Sequence, residues 1–76
     1  MARFAVSVFG RDRPGIVAAV TRVLADAGCN LEDTSMTILR GHFAMMLVCE
    51  GSAADSEIEA ALAPLTADGS LTVSVR

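Results

Sequence analysis

The residues that could do chemistry cluster at one point, Phe9-Gly10-Arg11-Asp12-Arg13-Pro14-Gly15-Ile16-Val17. The stretch reads as a strand end, a tight loop and the first turn of a helix. Backbone N–H groups at a helix start lack intrahelical partners, and the helix dipole leaves partial positive charge there. Such a corner accepts a carboxylate. Pro14 presets the helical angle near the first position, and Asp12 before it is a candidate N-cap. Gly15 has no Cβ, so a second molecule can approach the backbone at Gly15 and Ile16. The Asp12 carboxylate could accept a ligand ammonium, in competition with its capping role. Asn30 could add a two-way amide, or simply start a strand. The chemistry implied is capture of a small zwitterion, most simply an amino acid.

Other chemistries find little support. Ile16-Val17 stand where a phosphate loop needs Lys and Ser or Thr, and GxGxxG is absent. Cys29, Cys49 and His42 lack the short paired spacings of a metal site. His42, the only histidine, has no patterned nucleophile beside it, and Glu32-Asp33 and Glu57/Glu59 read as solvated faces. No catalytic residue, metal or cofactor is therefore expected. The basic residues are six scattered arginines against nine acids, net charge -3, which disfavours nucleic acid. No apolar run reaches the roughly 18–20 residues that cross a bilayer. No signal-peptide cleavage site follows the N-terminal strand, so the expected location is cytoplasmic.

The elements that must position the loop follow from periodicity. Phe4, Val6 and Val8 alternate with Ala5, Ser7 and Phe9, a strand ending at Gly10. Ile16, Val20, Val23, Leu24 and Ala27 share a helical face, which predicts a helix over Arg13 to Ala27 with Gly28 as terminator. Leu31–Leu39 and Phe43–Cys49 read as a hairpin across Arg40-Gly41-His42. A two-residue Gly41-His42 loop puts Met36 and Ile38 on a face with Met45 and Leu47. That register sets Cys49 opposite about Thr34 and leaves Cys29 roughly 13–16 Å away, too far for a disulfide. Two unpaired buried thiols are expected. Ile58, Ala61, Leu62 and Leu65 give a second helix capped by Ser52 or Asp55, with Pro64 disturbing its last turn. Leu71, Val73 and Val75 form a last strand.

The order β-α-β-β-α-β predicts an α+β, ferredoxin-like fold: a four-stranded antiparallel sheet with both helices on one face. Phe4, Val6, Val8, Met45, Leu47, Val73 and Val75 should face the helices. Ala5, Phe9, Leu39, Ala44, Met46 and Val48 should line the other side, which is too apolar for a solvated sheet. Residues 1–76 read as one domain, compatible with being the first part of a longer polypeptide. A chain this short and 53% hydrophobic should lean on a partner.

Asp12-Arg13-Pro14-Gly15-Ile16-Val17, Gly28-Cys29-Asn30-Leu31 and Gly41-His42-Phe43-Ala44-Met45, at these spacings, resemble an ACT domain. The likeness is greatest to the N-terminal unit of glycine cleavage system repressors and to free-standing ACT proteins. It implies regulatory amino-acid binding, glycine or serine class, and a link to transcriptional regulation. It also implies side-by-side homodimers in which second strands and first helices meet. The ligand would lie between Asp12, Arg13, Gly15, Ile16 and Val17 of one copy and Asn30 and Leu31 of the other. The alternative is a ligand-free oligomerisation module of a larger regulator or enzyme.

Overall fold

A computed structural model of the chain describes residues 2–76. β1 (Ala2–Arg11) is followed by α1 (Ile16–Asp26), β2 (Asn30–Leu39) and β3 (His42–Gly51). Then come α2 (Asp55–Leu62), a 3-10 turn around Pro64 (Ala63–Thr66) and β4 (Leu71–Val75). The strands form one antiparallel sheet in the order β2-β3-β1-β4. This is the expected ferredoxin-like arrangement.

Strand alternation sets the two faces. Phe4, Val6 and Val8 pair with Cys49, Leu47 and Met45, and all six are buried against Ile16, Val20 and Leu24 of α1 and Ile58 and Leu62 of α2. Ala5, Ser7 and Phe9 pair with Val48, Met46 and Ala44 on the opposite face, as expected. α1 buries positions spaced by four and stops at Gly28, whose φ of 80° lets the chain reverse. Gly28 N–H donates to Ala25 O and Cys29 N–H to Leu24 O, the paired bonds of a Schellman ending.

α1 begins at Ile16, three residues later than the periodicity predicts, and its N-cap is Gly15 rather than Asp12. The residue before a proline is pushed out of the helical region, which blocks Arg13. Gly15 then takes the left-handed conformation, φ 85°. Asp12 is held elsewhere, its N–H donating to Gly41 O at 2.9 Å. The second helix is also capped differently. Ala54 is its N-cap, and Asp55 is the first helical residue.

The hairpin turns on Arg40-Gly41, not Gly41-His42. Both residues have positive φ, 50° and 78°, and Leu39 pairs with His42. That is the backbone of a two-residue type I′ turn. From Asp33 to Leu39 the register therefore differs by two from the expected one, so these side chains keep their faces. Met36 lies opposite Met45 and Ile38 opposite Phe43. Arg40 is the one non-glycine residue with positive φ among those described. Arg40→Asn, better suited to this conformation, should raise stability by about 0.5–1 kcal/mol. Thermal unfolding should then shift up by about 4 °C.

A bulge follows between Leu31 and Asp33, leaving Glu32 as the extra residue. It resets the alternation, so Leu31, opposite Cys49, shares the helix side with Thr34, Met36 and Ile38. This corrects the cysteine geometry. Cys49 faces Leu31 rather than Thr34, and Cys29 lies beside it in the core; both thiols are free and buried. Burial, with the neighbouring Cys29 thiol adding to it, pushes the Cys49 thiol up to about 11. Cys49 is thus a poor nucleophile at neutral pH.

Candidate ligand site at the start of the first helix

The loop between β1 and α1 opens onto a groove of about 430 Å³. Asp12, Arg13, Gly15, Ile16, Val17 and Ala18 form one wall; Met36 and Ile38 of β2 and Phe43 of β3 form the other. Five of the seven residues expected at the site are therefore together. The mechanism of assembly is local. β1 ends beside the hairpin turn, the Asp12 N–H ties the loop to Gly41, and the left-handed Gly15 turns the chain into α1.

No side chain caps α1, and its first turn carries no acid. The first N–H groups of an α-helix cannot bond within it; Ile16, Val17 and Ala18 carry these groups at the positive end of the dipole, and all three residues line the groove. Asp12 is exposed, and among the described residues its carboxylate joins no side-chain hydrogen bond or ion pair. The capping role that competed for it is absent. The groove thus offers donors for a carboxylate, one free acceptor for an ammonium, and apolar walls.

Arg13 is directed differently. Its Nη1 sits 3.3 Å from Asp68 Oδ2 and links the loop to the turn before β4. Asp68 also accepts from the Ser70 N–H at 2.9 Å and the Ser70 hydroxyl at 2.7 Å. These Ser70 bonds first, and Arg13 next, hold the Asp68 carboxyl at about 2. A depressed folded pKa adds stability above the ordinary value of 3.8 and loses it as pH falls towards about 2. Asp68→Asn should therefore flatten the acid limb of the stability curve between those values, as measured by denaturant unfolding at stepped pH.

Asn30 and Leu31 are not at the groove of their own chain. They pair with Glu50 and Cys49 at the far end of β2, eight residues from Ile38, or roughly 26 Å along the strand. The groove also takes in Met36 and Ile38, which the sequence placed only on the core face, and Phe43, which stood only in the hairpin part of the resemblance. Phe43 is buried, but Met36 and Ile38 are half exposed. What sets them apart is sheet order: β2 lies at the sheet edge, where the helices leave its apolar side largely uncovered. All ten β2 residues are exposed, and Leu31, Met36 and Ile38, with Val17 of α1, form an apolar border there.

Comparison with known proteins follows this geometry. The sequence pattern of the ACT domain matches residues 2–76. A UPF0237 protein of Methanopyrus kandleri is 48% identical over 58 residues, which is 76% of this chain and 64% of that protein. An ACT domain protein from Streptococcus pneumoniae superimposes with a TM-score of 0.76 at 29% identity, over 97% of this chain and 86% of its own. A crystal structure described as a glycine cleavage system transcriptional repressor gives 0.80 at 25% identity, over 97% of this chain and 44% of its own. The chain thus spans less than two thirds of the first and third of these proteins. No helix among the described residues is long and apolar enough to cross a membrane. The pattern match runs across every described element, and the sheet order and uncapped first helix accompany it: the chain belongs to the ACT domain family.

Proposed function

We propose that this chain is a regulatory, non-catalytic module that binds a free amino acid of the glycine or serine class at the start of α1, in a groove completed by a second copy. The carrying observation is the uncapped N-terminus of α1, which opens on a groove beside the unpaired Asp12 carboxylate. A ligand carboxylate would take the N–H groups of Ile16 and Val17, and its ammonium would meet Asp12. Arg13, tethered to Asp68, would steady the loop.

The second copy is argued from β2. An exposed ten-residue edge strand, lacking lysine and proline and flanked by Leu31, Met36 and Ile38, is an open template for another strand. Two β2 strands related by a two-fold axis run antiparallel. The Asn30 end of one then lies beside the Ile38 end of the other. That places Asn30 and Leu31 of the second copy next to the first copy's loop, closing the roughly 26 Å gap within one chain. The pairing joins two four-stranded sheets into one of eight strands. Ligand bridging the copies would bias how attached domains are arranged. The likeness to the glycine cleavage repressor supports the small ligand class and a role in controlling transcription through another component.

Titration calorimetry with the twenty amino acids tests this reading. Glycine or serine should give saturable heat at one site per chain. A second reading is also favoured by the apolar β2 border: assembly without a ligand would account for it. Silence across all twenty on a confirmed dimer would select that reading.

A further inference from the structure

The β2 edge does not account for the apolar face on the far side of the sheet. There Phe9 is 52% exposed, Met46 51% and Leu39 68%, with the half-buried Ala5, Ala44 and Val48 between them. Antiparallel sheets that face water carry polar residues on that side. We infer that this face is a second self-association surface, and that its occupant is the same face of another copy, stacked with the strands reversed.

The charge pattern selects this occupant and its orientation. One end of the face carries Arg11, with His42 beside it in register and Arg40 in the adjoining turn. Arg11 has no ion-pair partner among the described residues. The other end carries Glu32, Asp33 and Glu50 around Arg3. Arg3 Nε lies 2.7 Å from Glu32 and its Nη2 3.5 Å from Glu50, so one cation is shared by two acids while Asp33 is left over. The face is thus basic at one end and, net of Arg3 and of Arg76 paired beside Ala5, weakly acidic at the other, with Phe9, Ala44, Met46 and Val48 set among serines between them.

Two such faces can stack by a two-fold axis lying between them, either along the strands or across them. The first sets like ends together. The second sets the basic end of each copy over the weakly acidic end of the other, with the middles in contact. The row Ser7, Met46 and Ser35 lies halfway along the strands and so close to that axis. The face measures roughly 30 Å by 15 Å in projection. At about 450 Å² per copy it falls below the roughly 600–1,000 Å² per partner of standard interfaces, so the expected stack is a weak one that shows at high concentration.

Sedimentation analysis over a dilution series tests the inference on the whole chain. Met46→Glu sits near the axis and brings two carboxylates together, so it should weaken this association by about 100-fold or more. Arg11→Glu should weaken it about tenfold, with the difference shrinking at high salt. Both positions are exposed, so far-UV circular dichroism should match the unchanged protein. Ile38→Asp, on the β2 edge, should act on a separate step and leave the one sensitive to Met46 in place. If Met46→Glu leaves every association step untouched, the inference is overturned. A protein that shows no step beyond β2 pairing up to about 1 mM overturns it as well, and would leave the face to a different partner.

Discussion

Gly10→Ala should be strongly destabilising. A Cβ at Gly10 would lie 2.1 Å from the Ser70 backbone oxygen and 2.7 Å from Leu71 Cδ2. Gly10 sits in β1 between Phe43 of β3 and Leu71 of β4, so neither side can yield freely. Relief requires moving β4, which pairs only with β1 and buries Leu71 and Val75. The expected cost is about 3 kcal/mol or more. A domain of this size has roughly 4–11 kcal/mol in total. Its thermal midpoint should fall by about 15 °C. Gly69→Ala is the control. Gly69 has φ 77° but nothing within 4 Å of an added Cβ, so only conformational strain of about 1 kcal/mol applies. Calorimetric unfolding of the two variants should separate steric conflict from backbone strain by the size of the shift.

Gly15→Asp should abolish amino-acid binding while leaving a folded chain. An added Cβ meets nothing within 4 Å, so the change costs only the strain of a left-handed aspartate, about 1 kcal/mol. Its carboxylate would sit at the uncapped start of α1, where the ligand carboxylate is proposed to bind. It would take the same N–H groups and repel the ligand. Affinity should fall about 100-fold, or roughly 3 kcal/mol. Asp12→Asn keeps the shape and removes the charge, so it should cost about tenfold. Calorimetric titration of both variants checks this. Sedimentation of Gly15→Asp should still show the dimer, because the β2 edge is intact.

The fold was legible because alternation and helical periodicity are strong and agree. Phe4, Val6 and Val8, and Ile16, Val20 and Leu24, lie in the core on the faces their spacing implies. Turn geometry was less legible. The start of α1 was displaced by the interplay of Pro14 and the left-handed Gly15, which no single propensity conveys. The hairpin turn moved because Arg40 accepts a positive φ, which is rare for arginine. Parity saved the faces there, since an error of two residues leaves period-two alternation intact. The cysteine separation had no such protection, because the two-residue shift of the turn and the extra residue at Glu32 together set Leu31, not Thr34, opposite Cys49.

The loop side of the candidate site was legible from local chemistry, since its residues are contiguous. Met36 and Ile38 were not, because they are far in sequence and resemble ordinary core. Their role depends on β2 being an uncovered edge, a property of sheet order rather than of spacing. Asn30 and Leu31 belong to a different class. They are separated from the loop within one chain, and it is the proposed pairing of two β2 edges that would bring them near.

Amide-detected NMR titration with glycine and serine tests most directly the central claim that a bare helix corner binds the ligand. The N–H signals of Ile16, Val17 and Ala18 should move most, in a saturable way, with Asn30 and Leu31 responding across the dimer. Saturable binding that leaves those three amides unmoved, or no response at millimolar ligand, would contradict it.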